Sequence, residues 1–200
     1  MTQAEADAWA KGSQYADDVF YHGTTKIDEI MQNGFNLEKL GTNTKNGGLF
    51  GAGHYTTPSY QEAVRYTGGG GKVLKLKVNV KSVLNSWDEM AKLNDISDNA
   101  VKCIQGIKEL QATGGLTQEL SLQETIKMLE SRELKTGSPN LLSKLTSKEW
   151  ETLNEICNTE KFAFEWSRKS IIESAGYDAI QMPGVTETVI LNDKYITVIQ

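Results

Sequence analysis

The sequence predicts an α+β fold in which both ends of the chain contribute strands to the sheet. Strand signals dominate up to about residue 84, helix-forming residues dominate from Trp87 to Asn158, and strand signals return after Gly176. The 200 residues suffice for a single domain. We expect a core of about residues 15–84 and 158–200, interrupted by a helical insertion of about residues 85–157.

The first elements are predicted to be a strand and a helix. Residues 19–22 read as a short strand, and Ile27–Asn33 as a helix that ends at Gly34, because glycine tolerates the left-handed conformation of a helix end. A glycine-rich loop follows at residues 46–53 and leads into a strand at residues 54–57. The backbone of such a loop can approach a ligand closely.

A capping box and an alternating strand come next. Ser59 and Glu62 are spaced to cap each other's backbone amides, which predicts a helix over residues 60–66. Residues 72–80 then alternate, which predicts a half-buried strand. Its buried face carries Leu74, Leu76, Val78 and Val80, and its solvent face carries Lys75, Lys77 and Asn79.

The middle of the chain is predicted to be helical, with further capping boxes at Ser121-x-x-Glu124 and Thr146-x-x-Glu149. A last helix over about residues 160–174 ends before Gly176. Three strands follow, at residues 177–180, 188–191 and 195–199, with turns at Pro183-Gly184 and Asn192-Asp193.

Charge and composition exclude some classes of function. The net charge of −5 does not favour binding to nucleic-acid phosphates. Lys72, Lys75, Lys77 and Lys81 could form a local basic stripe, although a solvated strand face is the favoured interpretation. No apolar run approaches the roughly 20 residues of a membrane span, and the N-terminus lacks a signal-peptide pattern. We expect a protein of the cytoplasm, or one delivered into the cytoplasm of a target cell, with no membrane partner.

The two cysteines, Cys103 and Cys157, form no C-x-x-C pair. We expect two buried thiols in a reducing compartment, and no metal site.

Three short stretches carry the chemistry. The first is YHGTT at residues 21–25, the second is GAGHYTT at residues 51–57, and the third is ETVILN at residues 187–192. Tyr66 follows the second stretch, eleven positions after Tyr55. In their order and spacing these stretches resemble the His-Tyr-Glu branch of the ADP-ribosyltransferases, the branch of diphtheria toxin and the poly(ADP-ribose) polymerases. The resemblance covers roughly residues 20–80 and 176–199.

The resemblance implies both a fold and an activity. The fold would be the ADP-ribosyltransferase-like split β-sandwich, two small sheets flanked by helices, with the helical segment inserted. The activity would be cleavage of NAD+, the co-substrate, at its nicotinamide–ribose bond. ADP-ribose would then pass to a macromolecular acceptor, protein or nucleic acid, as in mono-ADP-ribosyltransferases, toxins and phage or defence effectors.

The resemblance also implies a set of site residues. Its catalytic residues would be Glu187, His22 and Tyr55, and its NAD+-binding residues would be His22, Gly23, Thr24, Tyr55 and Tyr66. The histidine would hold the adenosine-side ribose and the backbone of Gly23 the nicotinamide carboxamide. The two tyrosines would sandwich the nicotinamide ring, and Glu187 would hydrogen-bond the ribose that reacts.

Physical chemistry makes the same residues suitable without the family. NAD+ carries a cationic pyridinium leaving group, so neutral nicotinamide departs without a general acid. The reaction instead needs stabilisation of an oxocarbenium-like ribose, which a carboxylate such as Glu187 provides electrostatically. Two tyrosine rings would orient the pyridinium through stacking and cation–π attraction.

Some positions depart from the family pattern. Ala63 stands where the polymerase branch often has a serine that contacts the nicotinamide amide. Val185 stands two residues before Glu187, so the Gln/Glu-x-Glu element of the arginine-modifying branch is absent and simple arginine transfer is disfavoured. His54 neighbours Tyr55 on a strand and is expected to point to the opposite face, away from the site.

Two other functions remain open at this point. One is a module that binds NAD or ADP-ribose with weak or no transfer, and the other is an interaction protein that uses the helical insertion as its surface. The acceptor also stays open, whether a protein side chain, a nucleic-acid base or a phosphate, because acceptor choice lies outside the NAD+ site.

Overall fold

The computed structural model describes residues 1–39, 48–114, 142 and 145–200 as a mixed α+β structure with two small β-sheets. Its helices within these residues are α1 Gln3–Trp9, α2 Ile27–Asn33, α3 Tyr60–Arg65, α4 Trp87–Ala112, α5 Ser147–Thr159 and α6 Ala163–Ser174. Its strands there are β1 Phe20–Thr24, β2 His54–Thr56, β3 Lys72–Val78, β4 Val83–Leu84, β5 Ala179–Ile180, β6 Thr188–Ile190 and β7 Ile196–Val198. The α+β class predicted from the sequence is confirmed.

Both ends of the chain contribute to both sheets. The first sheet is antiparallel with the order β1-β3-β7, and the second has the order β2-β6-β5-β4 with β4 and β5 parallel. One backbone bridge connects β1 with the segment after β2. There, Tyr21 N–H donates to Thr57 O at 2.7 Å and Thr57 N–H donates to Tyr21 O at 3.0 Å. Beyond this bridge the two strands belong to different sheets.

Strand β3 supplies the centre of the core. The apolar face predicted from its alternation is confirmed, because Leu74, Leu76, Val78 and Val80 are all buried. They pack in one cluster with residues from both ends of the chain, among them Phe20, Ala179, Ile190 and Ile196. Burial of this apolar face is the main term that holds the first sheet in place.

The predicted solvated lysine face is confirmed for Lys72, Lys75 and Lys81, which are exposed, but it is wrong for Lys77. Lys77 is only 2% exposed, and its Nζ lies 2.9 Å from Asp7 Oδ1. Asn79 Nδ2 donates to the backbone oxygen of Trp9 at 2.8 Å. Both partners belong to α1, which covers this part of the face and was not predicted from the sequence. A buried ammonium is tolerated here because a carboxylate pairs with it.

The other local predictions are mostly close to the observed bounds. Helix α2 ends at Asn33 with Gly34 as its C-cap, whose φ of 76° is positive as expected, although its ψ of −177° is not that of the left-handed helix. Helix α3 ends at Arg65, with Tyr66 as its C-cap. Ser59 Oγ accepts from Glu62 N–H at 3.2 Å, as predicted, while the Glu62 carboxylate accepts from Arg65 at 2.9 Å.

The chain divides into two compact units. The first comprises Met1–Met90 and Glu173–Gln200 and contains both sheets, and the second is Ala91–Ile172. The insertion was predicted over residues 85–157. Within the second unit Arg168 binds Asp98 through two hydrogen bonds of 2.9 and 2.7 Å. The Thr146-x-x-Glu149 capping box is present with both of its bonds.

Four further predictions concern other parts of the chain. The capping box at Ser121-x-x-Glu124 and residues 46–47 of the glycine-rich loop lie outside the described residues. Cys103 is buried as predicted, but Cys157 is only half-buried. In the part of the chain that the structure describes, no helix combines the length and the apolarity that a membrane crossing requires.

Candidate active site

His22 lies in β1 with its ring half-buried and its Nδ1 2.8 Å from the backbone oxygen of Tyr55. A carbonyl oxygen only accepts, so Nδ1–H donates, and in a neutral ring Nε2 keeps its lone pair. Burial lowers the pKa of His22, and the hydrogen bond to Tyr55 opposes this only in part. The ring is therefore neutral at pH 7 and offers Nε2 as a hydrogen-bond acceptor.

Phe35 separates the two histidines of the chain. Its ring meets that of His22 edge-on at 5.5 Å and that of His54 edge-on at 4.8 Å. The His54 ring is buried and its Nε2 lies 2.5 Å from an oxygen of Asp193, which also accepts from the backbone N–H of Leu37 at 3.1 Å. His54, which the sequence analysis left out of the site, anchors the segment after α2. Phe35 was missed, and its only signal was an aromatic residue directly after the helix-ending glycine.

Tyr55 lies in β2, and its hydroxyl is engaged by the glycine-rich loop. The hydroxyl accepts from Phe50 N–H at 2.9 Å and donates to Gly51 O at 2.9 Å. A Cβ added to Gly48 would lie 2.2 Å from the same hydroxyl oxygen. The backbone in the described part of this loop therefore packs closely against the Tyr55 hydroxyl. The sequence predicted such a close approach to a ligand.

Gly23 lets α3 approach β1 closely. A Cβ on this residue would lie 1.9 Å from Ala63 O and 3.2 Å from the backbone carbon of Tyr66. Strand alternation also turns the N–H and C=O of Gly23 towards the same edge of β1 as those of Tyr21. Thr24, the next residue, is 9% exposed, and its Oγ1 accepts from Lys26 N–H at 3.0 Å in the turn before α2.

Tyr66 and Glu187 are in direct contact. The Tyr66 hydroxyl donates to Glu187 Oε1 at 2.9 Å, across 121 positions of sequence. Tyr66 is 56% exposed, and Glu187 is half-buried directly before β6. The hydrogen bond to Glu187 is the largest cause of a raised pKa at Tyr66, followed by burial and by the charges of Glu187 and Glu62, which Arg65 opposes. The surroundings of the phenol are therefore negative on balance and suit a cation.

The expected site residues thus form two contacting pairs, His22 with Tyr55 and Tyr66 with Glu187. The pairing of β2 with β6 relates them, because Tyr55 lies opposite Val189. Glu187 lies one residue before β6 and two residues before Val189. If the alternation of the strand extends to Glu187, this residue lies on the same sheet face as Val189 and Tyr55. Continued by one residue, the same register places Glu187 opposite Thr57, the residue that bridges to Tyr21.

Ala63 is 1% exposed beneath β1, so the position that departs from the polymerase pattern faces the protein interior.

Among residues 1–39, 48–114 and 145–200, no three His, Cys, Asp or Glu side chains form a group that could hold a metal ion. No protein-family model, no curated protein and no solved structure matches this chain. Its function has to be argued from the geometry and chemistry of these residues.

Proposed function

We propose that this chain is a mono-ADP-ribosyltransferase that cleaves NAD+ at the nicotinamide–ribose bond and transfers ADP-ribose to a macromolecular acceptor, protein or nucleic acid. The first unit would then be an ADP-ribosyltransferase-like split β-sandwich. Its two small sheets, joined by the Tyr21–Thr57 bridge, are compatible with that fold. A toxin or a phage or defence effector would use such an activity.

The observation that carries the proposal is the 2.9 Å hydrogen bond between Tyr66 and Glu187. The two residues belong to motifs that lie 121 positions apart in the sequence. A carboxylate beside an exposed phenol ring suits the reaction, since the ring can hold a pyridinium while the carboxylate faces the adjoining ribose. This contact supports the proposal more directly than either residue's place in the fold.

The proposed reaction begins as the bond between ribose C1′ and the pyridinium nitrogen breaks, with both electrons leaving on nicotinamide. Positive charge develops on the ribose, and the Glu187 carboxylate opposes it. A nucleophilic oxygen or nitrogen of the acceptor then bonds to C1′ and loses its proton. Because the carboxylate acts on charge that develops in the transition state, its loss lowers kcat by about 10²- to 10³-fold.

The remaining residues would bind and orient NAD+. The neutral His22 ring, with Nδ1–H bonded to the Tyr55 carbonyl, offers Nε2 to a ribose hydroxyl. The N–H and C=O of Gly23 face the open edge of β1 and match the oxygen and amide group of a carboxamide. The rings of Tyr55 and Tyr66 would flank the nicotinamide, contributing about 0.5–2 kcal/mol each to binding.

Purified protein incubated with NAD+ labelled on the nicotinamide or on the adenylate tests the proposal. We expect release of nicotinamide from the wild type and its loss in Glu187→Gln. The matched control is Glu38→Gln, an exposed glutamate of the same unit, which should behave as the wild type.

Two results would contradict the proposal. Binding of NAD+ without release of nicotinamide would favour a binding module, and no binding at all would remove NAD+ from the account. With a cell extract present, the adenylate label recovered in the protein or the nucleic-acid fraction would identify the class of acceptor.

A further inference from the structure

We infer that the hydroxyl of Tyr66 is a positioning group that fixes the orientation of the Glu187 carboxylate, separately from any contact of the Tyr66 ring with nicotinamide. This inference rests on the proposed function. It assigns the two parts of one side chain to different tasks, the hydroxyl to the carboxylate and the ring to the leaving group.

The backbones of both partners are held firmly. Tyr66 closes α3, with its N–H donating to Ala63 O at 3.1 Å, and Gly23 lets this end of the helix lie directly on β1. On the other side, Thr188 follows Glu187 in β6 and is fully buried, and its backbone oxygen accepts from Thr56 Oγ1 at 2.9 Å. The fold therefore sets the distance between the two backbone positions that carry the hydroxyl and the carboxylate.

The carboxylate, by contrast, has rotational freedom that the backbone does not remove. Glu187 lies one residue outside β6, and its side chain ends in a torsion with broad preferences. The bond from Tyr66 holds Oε1 and leaves Oε2 for another donor. Because Tyr66 is 56% exposed, this bond adds little to stability, so its main effect is on orientation.

The positioning role predicts a particular split of the kinetic parameters. Tyr66→Phe keeps the ring and removes the hydroxyl, so we expect kcat for nicotinamide release to fall about 3- to 10-fold while KM stays within about twofold. Tyr66→Ala also removes the ring, so KM should rise several-fold as well. A purely structural role of Tyr66 would not separate the two variants in this way.

The experiment is a steady-state measurement of nicotinamide release on full-length wild type, Tyr66→Phe, Tyr66→Ala and Tyr60→Phe. Tyr60 is the matched control, a 52% exposed tyrosine of the same helix whose ring packs edge-on against Tyr21. Tyr60→Phe should retain wild-type kcat and KM. Adding Tyr66→Phe to Glu187→Gln should give no further loss, because the group that the hydroxyl orients has already changed.

Different failures point to different conclusions. If the wild type releases nicotinamide and Tyr66→Phe keeps its kcat within twofold, the positioning role is refuted and the proposed function stands. A raised KM with unchanged kcat in Tyr66→Phe would show that the hydroxyl binds substrate, which also refutes it. A wild type that releases no nicotinamide overturns the proposed function and this inference together.

Discussion

Replacing Gly23 by alanine tests whether close packing of α3 on β1 holds the candidate site together. The added Cβ would lie 1.9 Å from Ala63 O, 3.0 Å from Ala63 C and 3.2 Å from the backbone carbon of Tyr66. All three are backbone atoms, so no side-chain rotation can relieve the contact. The end of α3 that carries Tyr66 and strand β1 must therefore move apart.

The size of the effect follows from these distances. Restoring the 3.0 Å below which real Cβ contacts essentially never fall requires a shift of about 1 Å. Overpacking of this kind costs about 1–3 kcal/mol, and the backbone contacts favour the upper end. At about 2–4 °C per kcal/mol for a chain of this size, Tm should fall by about 6–12 °C. A shift of about 1 Å at Tyr66 should also lower kcat for nicotinamide release by about 3- to 10-fold, as loss of its hydroxyl does.

Thermal unfolding followed by circular dichroism, together with nicotinamide release, measures both effects. Gly70→Ala is the matched control, because a Cβ on Gly70 meets no heavy atom within 4 Å. We expect the control to stay within about 0.5 kcal/mol of the wild type. If Gly23→Ala unfolds within 2 °C of Gly70→Ala, the close contact between α3 and β1 does not exist and the reasoning fails.

Three further predictions concern other groups. Nitrogen NMR, with the signals assigned by means of His54→Gln, should show His22 neutral at pH 7 with its proton on Nδ1. Burial should hold the pKa of His22 below its ordinary value, and a charged ring at pH 7 would contradict this. The hydrogen bond from Lys77 is the largest cause of a lowered pKa at Asp7. The stability that the ionised Asp7 carboxylate gives through this pairing is therefore present above about pH 4 and is lost as the pH falls further. Urea unfolding between about pH 2 and pH 6 should therefore show a smaller acid loss in Lys77→Met than in the wild type, and equal losses would contradict the pairing. A Cβ on Gly106, inside α4, meets no heavy atom within 4 Å. Gly106→Ala should therefore raise the free energy of unfolding, measured by urea titration, by about 0.5–1 kcal/mol. A lower free energy of unfolding in this variant would contradict the open surroundings of Gly106.

The buried face of β3 was predictable because a two-residue period identifies one face of a strand without knowledge of the rest of the fold. The burial of Lys77 on the opposite face was not, because it depends on α1, a seven-residue helix. That helix has a sequence signal, since Thr2 and Glu5 form a capping box of the kind recognised at residues 146–149. This signal predicts the helix itself, but neither its position over β3 nor the pairing of Asp7 with Lys77.

The candidate site was predictable only as a set of residues. The motifs name Tyr66 and Glu187 together, but their hydrogen bond joins side chains 121 positions apart and depends on how α3 lies against the sheets. The tie between the Tyr55 hydroxyl and the loop at residues 50–51 depends in the same way on a turn conformation that composition does not fix. Local patterns specify which groups a strand presents, and tertiary packing decides which of them meet.

The most direct test of the account compares kcat for nicotinamide release at saturating NAD+, and the Kd for NAD+, in the wild type and Glu187→Gln. If the carboxylate opposes charge on the reacting ribose, kcat should fall about 10²- to 10³-fold while Kd changes little. Equal rates of nicotinamide release in the two proteins, or no release from the wild type, would contradict the role of Glu187 in NAD+ cleavage.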